Sequence, residues 1–333
     1  MRWMLTMALL AGCSGGGSDP VVAPDATDTA DVTVAPDTAD VTVADTPAGE
    51  PDTATEPAYG VPCEDAKRVG KVELGHFGFY ASAAAGISDG VIPLTVLQPI
   101  LTEGPCVLLK KENPFCDPPC GAGNLCDHGG TCVPYPANGS VGPITLTGLT
   151  VPLTMELKGS DYFETDVPLP LFEPGAHITA TAPGDALPGF ALGAYGVPDL
   201  VVPETVLVAK KGAPLAVTWT GEPGPQHVVL QLNVDQHGNS PATLRCDVPD
   251  TGSFEIPASL VTKLLEAGVS GFATLDMTRR TVDSASVPAG CVELRVLSYV
   301  LGKLTVEGHV ACAKDGDCPA GKKCMVATNT CTP

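Results

Sequence analysis

The residues of this chain best placed to do chemistry are its thirteen cysteines. After Cys13 they fall at Cys63 and Cys106, then as a cluster of Cys116, Cys120, Cys126 and Cys132. Cys246 and Cys291 follow, and a second cluster holds Cys312, Cys318, Cys324 and Cys331. Such clusters either bind zinc or pair as disulfides. Structural zinc sites set cysteines two to four residues apart in two pairs, whereas the gaps in "CDPPCGAGNLCDHGGTC" and "CAKDGDCPAGKKCMVATNTC" are mostly five. Disulfides are therefore expected, with no metal and no cofactor. Four cysteines allow three pairings; we expect first with third and second with fourth in each cluster, which interlocks two loops. Elsewhere, proximity along the chain predicts Cys246 with Cys291 and Cys63 with Cys106.

Asp250-Thr251-Gly252-Ser253 is the sharpest enzymatic feature. It resembles the Asp-Thr-Gly-Ser turn of aspartic proteases, a family in which two close carboxylates share a proton and split their pKa values into an acid and a base. The twin is missing: Asp283 is followed by Ser-Ala, and "CDVP" before Asp250 lacks the family's apolar strand. Asp-Thr-Gly is also ordinary turn chemistry. Of the six histidines, His76, His177, His227 and His309 fall in or beside predicted strands, while His128 and His237 lie in glycine-bearing loops. None has ligand spacing. Ser270 in "GVSGF" has Phe272 where a nucleophile elbow needs glycine. "KDGD" at 314–317 and "DHGG" at 127–130 lack the carboxylates of a calcium site and read as tight turns.

The N-terminus accounts for the odd cysteine. Arg2 precedes a short apolar run, Trp3 to Gly12, about the length of a signal segment and short of the ~20 residues that span a bilayer. Leu10-Ala11-Gly12-Cys13 resembles the lipobox of bacterial lipoproteins. The resemblance implies cleavage after Gly12, lipid on Cys13 and attachment to a membrane, with Ser14 favouring the outer membrane. Several acyl chains on one residue hold stably, where one chain holds marginally. Twelve cysteines then remain, an even number suited to an oxidising compartment.

From Cys13 to about residue 62 the chain is Ala, Asp, Thr, Pro, Val and Gly, with ten acids and no lysine or arginine. This composition buries too little apolar area to offset ordering entropy, so an extended stalk is expected. "DTADVTV" occurs twice, at 28–34 and 37–43, without the glycines of calcium-binding nonapeptides. It reads as a duplicated linker unit. The formal net charge of -20 repels phosphate backbones, which excludes nucleic acid as a partner.

Beyond Cys63, short β-branched runs alternate apolar with polar residues and are broken by many of the 37 glycines and 33 prolines. This predicts a mainly β fold, an antiparallel sandwich-like domain with two small disulfide-rich modules. One short helix is predicted over Ala258–Ala267, after Pro257 and before Gly268. "LAVTWTGEPGPQHVVLQLNV" is similar to immunoglobulin-like strands, but Trp219 precedes both Cys246 and Cys291 instead of lying between them. The C-terminal "DCPAGKKC" resembles small modules of myxobacterial-type lipoproteins, and the first cluster resembles their EGF-like relatives; both imply spacers or interaction surfaces. The expected division is 1–12 signal, 13–62 stalk, 63–111 a β segment packed on the main domain, 112–136 the first module, 137–311 the sandwich and 312–333 the second module.

No complete catalytic set is present, so a non-enzymatic, lipid-anchored envelope or surface protein is expected. Its partners would be the membrane through Cys13 and a protein or glycan ligand on β-domain loops such as "TGEPGPQ" and "DQHGNSPA". An aspartic-type hydrolase using Asp250 and a purely structural envelope component are the alternatives.

Overall fold

The computed structural model describes residues 59–235 and 241–333. The signal segment, Cys13 and nearly all of the stalk lie outside the described residues, as does most of "DQHGNSPA". The described chain begins with strands β1 (Arg68–His76), β2 (Ala81–Ile87), β3 (Gln98–Glu103) and β4 (Cys106–Lys110). The first cysteine module carries β5 (Asn124–Cys126) and β6 (Cys132–Pro134). Six strands follow: β7 (Ile144–Thr147), β8 (Leu153–Met155), β9 (Leu157–Lys158), β10 (Asp161–Glu164), β11 (His177–Ala182) and β12 (Phe190–Tyr195). Next come β13 (Val206–Ala209), β14 (Leu215–Thr218), β15 (His227–Asn233), β16 (Ala242–Pro249) and β17 (Ser253–Ile256). Helix α1 (Ala258–Ala267) leads into the long strands β18 (Thr274–Val287) and β19 (Gly290–Val306), and the last module holds β20 (Lys323–Met325) and β21 (Thr330–Thr332). The helix has the bounds read from the sequence. Among the described residues, no helix is long and apolar enough to cross a membrane.

Eleven strands form one sheet in the order β3-β4-β16-β15-β18-β19-β1-β2-β10-β9, with β13 added to β19. β19 organises it. One edge of β19 pairs with β18; the other pairs in parallel with β1 and then, further along, with β13. The sandwich is thus not wholly antiparallel, because strands far apart in sequence meet by crossover and need no hairpin. β1 and β4 are interior strands of this sheet, so residues 63–111 do not form a segment packed on a finished domain.

One face of the sheet carries two apolar cores. The four-stranded sheet β12-β11-β7-β8 covers one half, where Val72 and Leu74 of β1 and Val292, Leu294 and Val296 of β19 meet Ile144, Ile178 and Leu192. The other half packs beneath α1 and the β14–β17 pair. There Leu230 and Leu232 of β15 and Met277 of β18 meet Val217, Ile256, Leu260 and Leu264. Burial alternates along the strands, as in "HVVLQLN", where only Val228, Leu230 and Leu232 are buried. That period-2 pattern is what half-buried strands require. Gly148 closes the turn after β7 with φ +77°, where a Cβ would stand 2.0 Å from the carbonyl oxygen of His177.

Six disulfides staple the fold. The two modules pair first with third and second with fourth: Cys116–Cys126, Cys120–Cys132, Cys312–Cys324 and Cys318–Cys331. The sulfurs of Cys116, Cys120 and Cys126, and those of Cys312, Cys318 and Cys331, lie within 4.8 Å of one another, yet each already belongs to a disulfide. The other four pair differently from the expectation, as Cys63–Cys291 and Cys106–Cys246. Register gives the reason: β4 lies beside β16 with Cys106 directly opposite Cys246, and the chain before β1 runs beside the start of β19. A disulfide-rich β protein of this kind is suited to an oxidising, exported setting.

Candidate functional site

The second face of the long sheet holds a groove of about 630 Å³. Its floor is the second set of the alternation that builds the cores, mostly polar residues with Val229 and Leu297 among them. Val229 and Gln231 of β15 stand opposite Asp247 and Arg245 of β16 on one side and Thr278 and Asp276 of β18 on the other. Arg280 faces Leu297, Thr278 faces Tyr299, and Arg295 faces Glu73 of β1. One wall is a strap, residues 59–67, ahead of β1; the other includes Thr95, Leu97, Pro105 and Val107. The strap places Tyr59 to Pro62 against the sheet, so the stalk expected to run to residue 62 ends earlier than that.

The strap is held to the sheet by specific contacts. Tyr59 stacks on His227 with ring centroids 3.8 Å apart. Its hydroxyl donates to Asp247 Oδ2 at 3.1 Å and accepts from Arg280 Nε at 3.1 Å. Burial above all, reinforced by Asp247 and opposed by Arg280, raises the Tyr59 pKa, which keeps the phenol neutral. The His227 ring lies with Nδ1 2.8 Å from Asp247 Oδ1. Gly60 passes so close that a Cβ there would stand 2.1 Å from the Val282 carbonyl oxygen. The Cys63 amide donates to buried Glu293 at 2.7 Å, and the Cys63–Cys291 disulfide locks the crossing.

Four of the chain's six arginines line this groove: Arg68, Arg245, Arg280 and Arg295. Each has a carboxylate beside it. Asp65 takes Arg68 Nη1 and Arg245 Nη2, both at 2.8 Å. Arg280 Nη2 reaches Asp247 at 2.8 Å, and Arg295 pairs with Glu293 and approaches Glu73 at 3.9 Å. Burial lowers the Arg295 pKa, aided by the charges of Arg280 and Arg68 and opposed by Glu293. Burial also works against Arg280, but the charges of Asp247 and Glu293 and the Asp247 hydrogen bond raise its pKa. Asp276 accepts from the Tyr299 hydroxyl at 2.6 Å and from Asn233 at 3.3 Å.

Asp65 carries a pH dependence. Burial pushes its carboxyl upward, but the hydrogen bond and charge of Arg245, followed by Arg68, bring it below the ordinary carboxylate value. A depressed folded-state pKa stabilises above the unfolded value of about 4 and loses that contribution as pH falls through the folded value. Asp65→Asn should therefore flatten the acid limb of the stability curve below about pH 4, leaving carboxylates elsewhere to supply what remains. Urea unfolding midpoints between about pH 2 and 6 measure this. An unchanged acid limb would show that Asp65 contributes nothing to it.

Of the residues singled out from sequence, Cys63 lines the groove and His227 lies against the strap beside it, while Asp250 lies elsewhere. Asp250 is on the core-bearing face, with its side chain 1% exposed. Trp219 Nε1 donates to Oδ1 at 2.6 Å, Gln226 Nε2 to Oδ2 at 3.2 Å and Arg279 Nη2 to Oδ1 at 3.3 Å. Arg279 Nε stands 2.7 Å from Oδ2 as an ionic contact, its N–H not aligned for a hydrogen bond. The carboxylate thus anchors the turn before β17. Gln226, at the end of "TGEPGPQ", also donates to the carbonyls of Glu222 and Pro223, so this loop is tied to itself. Asp127 and Asp317 each accept two backbone amides of their own module, as tight turns do. The alternation in "ATLRCDV" and "LDMTRRT" contains the groove residues, but its polar half reads from sequence as plain solvent face.

A second cleft, of about 620 Å³, lies between the first cysteine module and residues 89–98, with Val91, Pro93, Val96, Val133 and Tyr135 in its walls. His128 Nε2, 2.9 Å from the Pro93 carbonyl oxygen, ties the two sides together. No protein-family model matches the chain, and no curated protein is significantly similar to it.

Proposed function

We propose that this is an exported, lipid-anchored binding protein of the cell envelope or surface, non-enzymatic, which presents the groove on the open face of its long sheet to a ligand. The observation that carries the reading is that groove. One face of the sheet is sealed by two cores, while the other concentrates arginines and carboxylates in a concave site of ligand-binding size. The anchor rests on Leu10-Ala11-Gly12-Cys13, and the oxidising setting on the six disulfides.

Two measurements test it. Mass spectrometry of the membrane-extracted full chain should find an N-terminal peptide beginning at acylated Cys13, with the other twelve cysteines alkylated only after reduction. An unacylated N-terminus would remove the anchor. Gln231→Trp, which fills the groove floor, should abolish retention of the protein on polymers shed from the producing cells. Equal retention of both forms, or of neither, would favour a structural component.

A further inference from the structure

The groove interleaves both signs. Arg68, Arg245, Arg280 and Arg295 line it together with Asp65, Glu73, Asp247 and Asp276, with buried Glu293 against Arg280 and Arg295, so nearly every charge has its opposite beside it even in a chain of net charge -20. An anionic ligand would have to displace the carboxylates that already hold the arginines, and a cationic one the arginines that hold Asp65 and Asp247. An apolar ligand would strip water from the lining groups without replacing its hydrogen bonds. The favoured ligand is neutral and rich in groups that both donate and accept.

Hydroxyls meet that requirement. Each offers one donor and two acceptor sites, so neighbouring hydroxyls can bridge a guanidinium and the carboxylate paired with it. A peptide meets it less well. Extended peptides gain affinity by adding backbone hydrogen bonds at a sheet edge, whereas the floor here is the face of interior strands paired on both sides.

One end of the groove supplies a second, independent feature. Phe77 and Tyr299 line the groove with ring centroids 5.9 Å apart. Tyr80 stacks on Phe77 at 5.1 Å and Phe79 follows at 5.3 Å from Tyr80, at the tip of the β1–β2 hairpin. Phe79 is 89% exposed and Tyr80 47%. Four of the chain's sixteen aromatic residues thus gather at one rim, and a contiguous exposed apolar surface marks a contact site. A pyranose ring has an apolar C–H face bordered by hydroxyls, which fits aromatic faces beside paired charges.

We infer that the groove binds a neutral oligosaccharide, its sugar hydroxyls on the Arg–carboxylate floor and one ring against the Phe79–Tyr80 rim. The inference rests on the reading of the groove as a binding site and names its ligand class.

The test passes full-length, detergent-solubilised protein over immobilised maltohexaose, cellohexaose, xylohexaose and mannohexaose. Polygalacturonic acid, chitosan and a random peptide library are run alongside. At least one neutral hexasaccharide should be retained, with affinity reduced at least tenfold in Phe79→Ala/Tyr80→Ala and lost in Gln231→Trp. Because no net charge is exchanged, raising salt from about 0.05 to 0.5 M should change that affinity less than about twofold. Unchanged melting temperatures establish that the exposed-rim variant is folded. Retention of only charged polymers or peptides, still blocked by Gln231→Trp, would overturn the sugar inference and leave the binding groove standing. Retention of no probe, or retention indifferent to Gln231→Trp, would overturn both.

Discussion

Arg279→Met should lower the free energy of unfolding by about 3–5 kcal/mol, the cost of leaving one partner of a buried ion pair behind. Arg279 stands on β18 at the seam between the two cores, its side chain fully buried. Its guanidinium donates to the carbonyls of Asp199 at 2.8 Å and Thr220 at 2.5 Å as well as holding Asp250. These carbonyls belong to segments that cross the seam and have no strand partner there, so the guanidinium meets a need that apolar packing cannot. His76 and Ser298 are buried beside the same crossing. Ser298 Oγ accepts the Leu200 amide, and His76 Nε2 accepts the Leu171 amide while Nδ1 faces Asp199. Asp250→Asn should fall in the same range, about 3–5 kcal/mol, because it leaves the arginine charge uncompensated. The double variant Arg279→Met/Asp250→Leu should recover only part of the loss, since the seam carbonyls stay unsatisfied. Urea midpoints at constant m-value measure all three. A cost below about 1 kcal/mol for either single variant would refute the account. Loss of any activity in Asp250→Asn would accordingly report on the fold before it reported on acid–base chemistry.

What the sequence made legible was local. The helix was bounded by Pro257 and Gly268, and in both modules the cysteine pairing followed from loops of ten to thirteen residues. Pairings across 228 and 140 residues are not legible, because proximity along the chain does not report proximity in space over such distances. Sequential strands are adjacent often, but here β1 joins β19 and β4 joins β16. The groove was hidden for a related reason. Alternation reveals that a strand has two faces, yet which polar residues share a surface depends on register. Arg245, Asp276 and Arg295 lie on three different strands, and only the pairing β16-β15-β18-β19 gathers them. The site is thus built on the sheet itself and not on the loops, where sequence places a contact surface.

Removing the Cys63–Cys291 disulfide as Cys63→Ser/Cys291→Ser should be the most damaging change to the cross-links. In the chain-entropy account, a loop this long contributes about 5 kcal/mol, against about 3 kcal/mol for the short loop of Cys116–Cys126. The structure adds a local consequence. The disulfide holds the strap where the Cys63 amide meets buried Glu293 and where Asp65 joins Arg68 to Arg245. If the strap lifts, Glu293 loses a donor and the groove loses the wall formed by Pro62, Cys63 and Asp65. The variant should therefore melt lower than Cys116→Ser/Cys126→Ser, and it should also bind groove ligands more weakly at temperatures where both remain folded. Amide hydrogen exchange can separate the two effects. Faster exchange at Cys63 and Lys67, whose amides bond Glu293 and, within the strap, the Glu64 carbonyl, with β15 and β16 still protected, would show a strap released from an intact sheet. Uniformly faster exchange would assign the whole effect to global stability, and a smaller fall in melting temperature than in the module variant would contradict the loop-length argument.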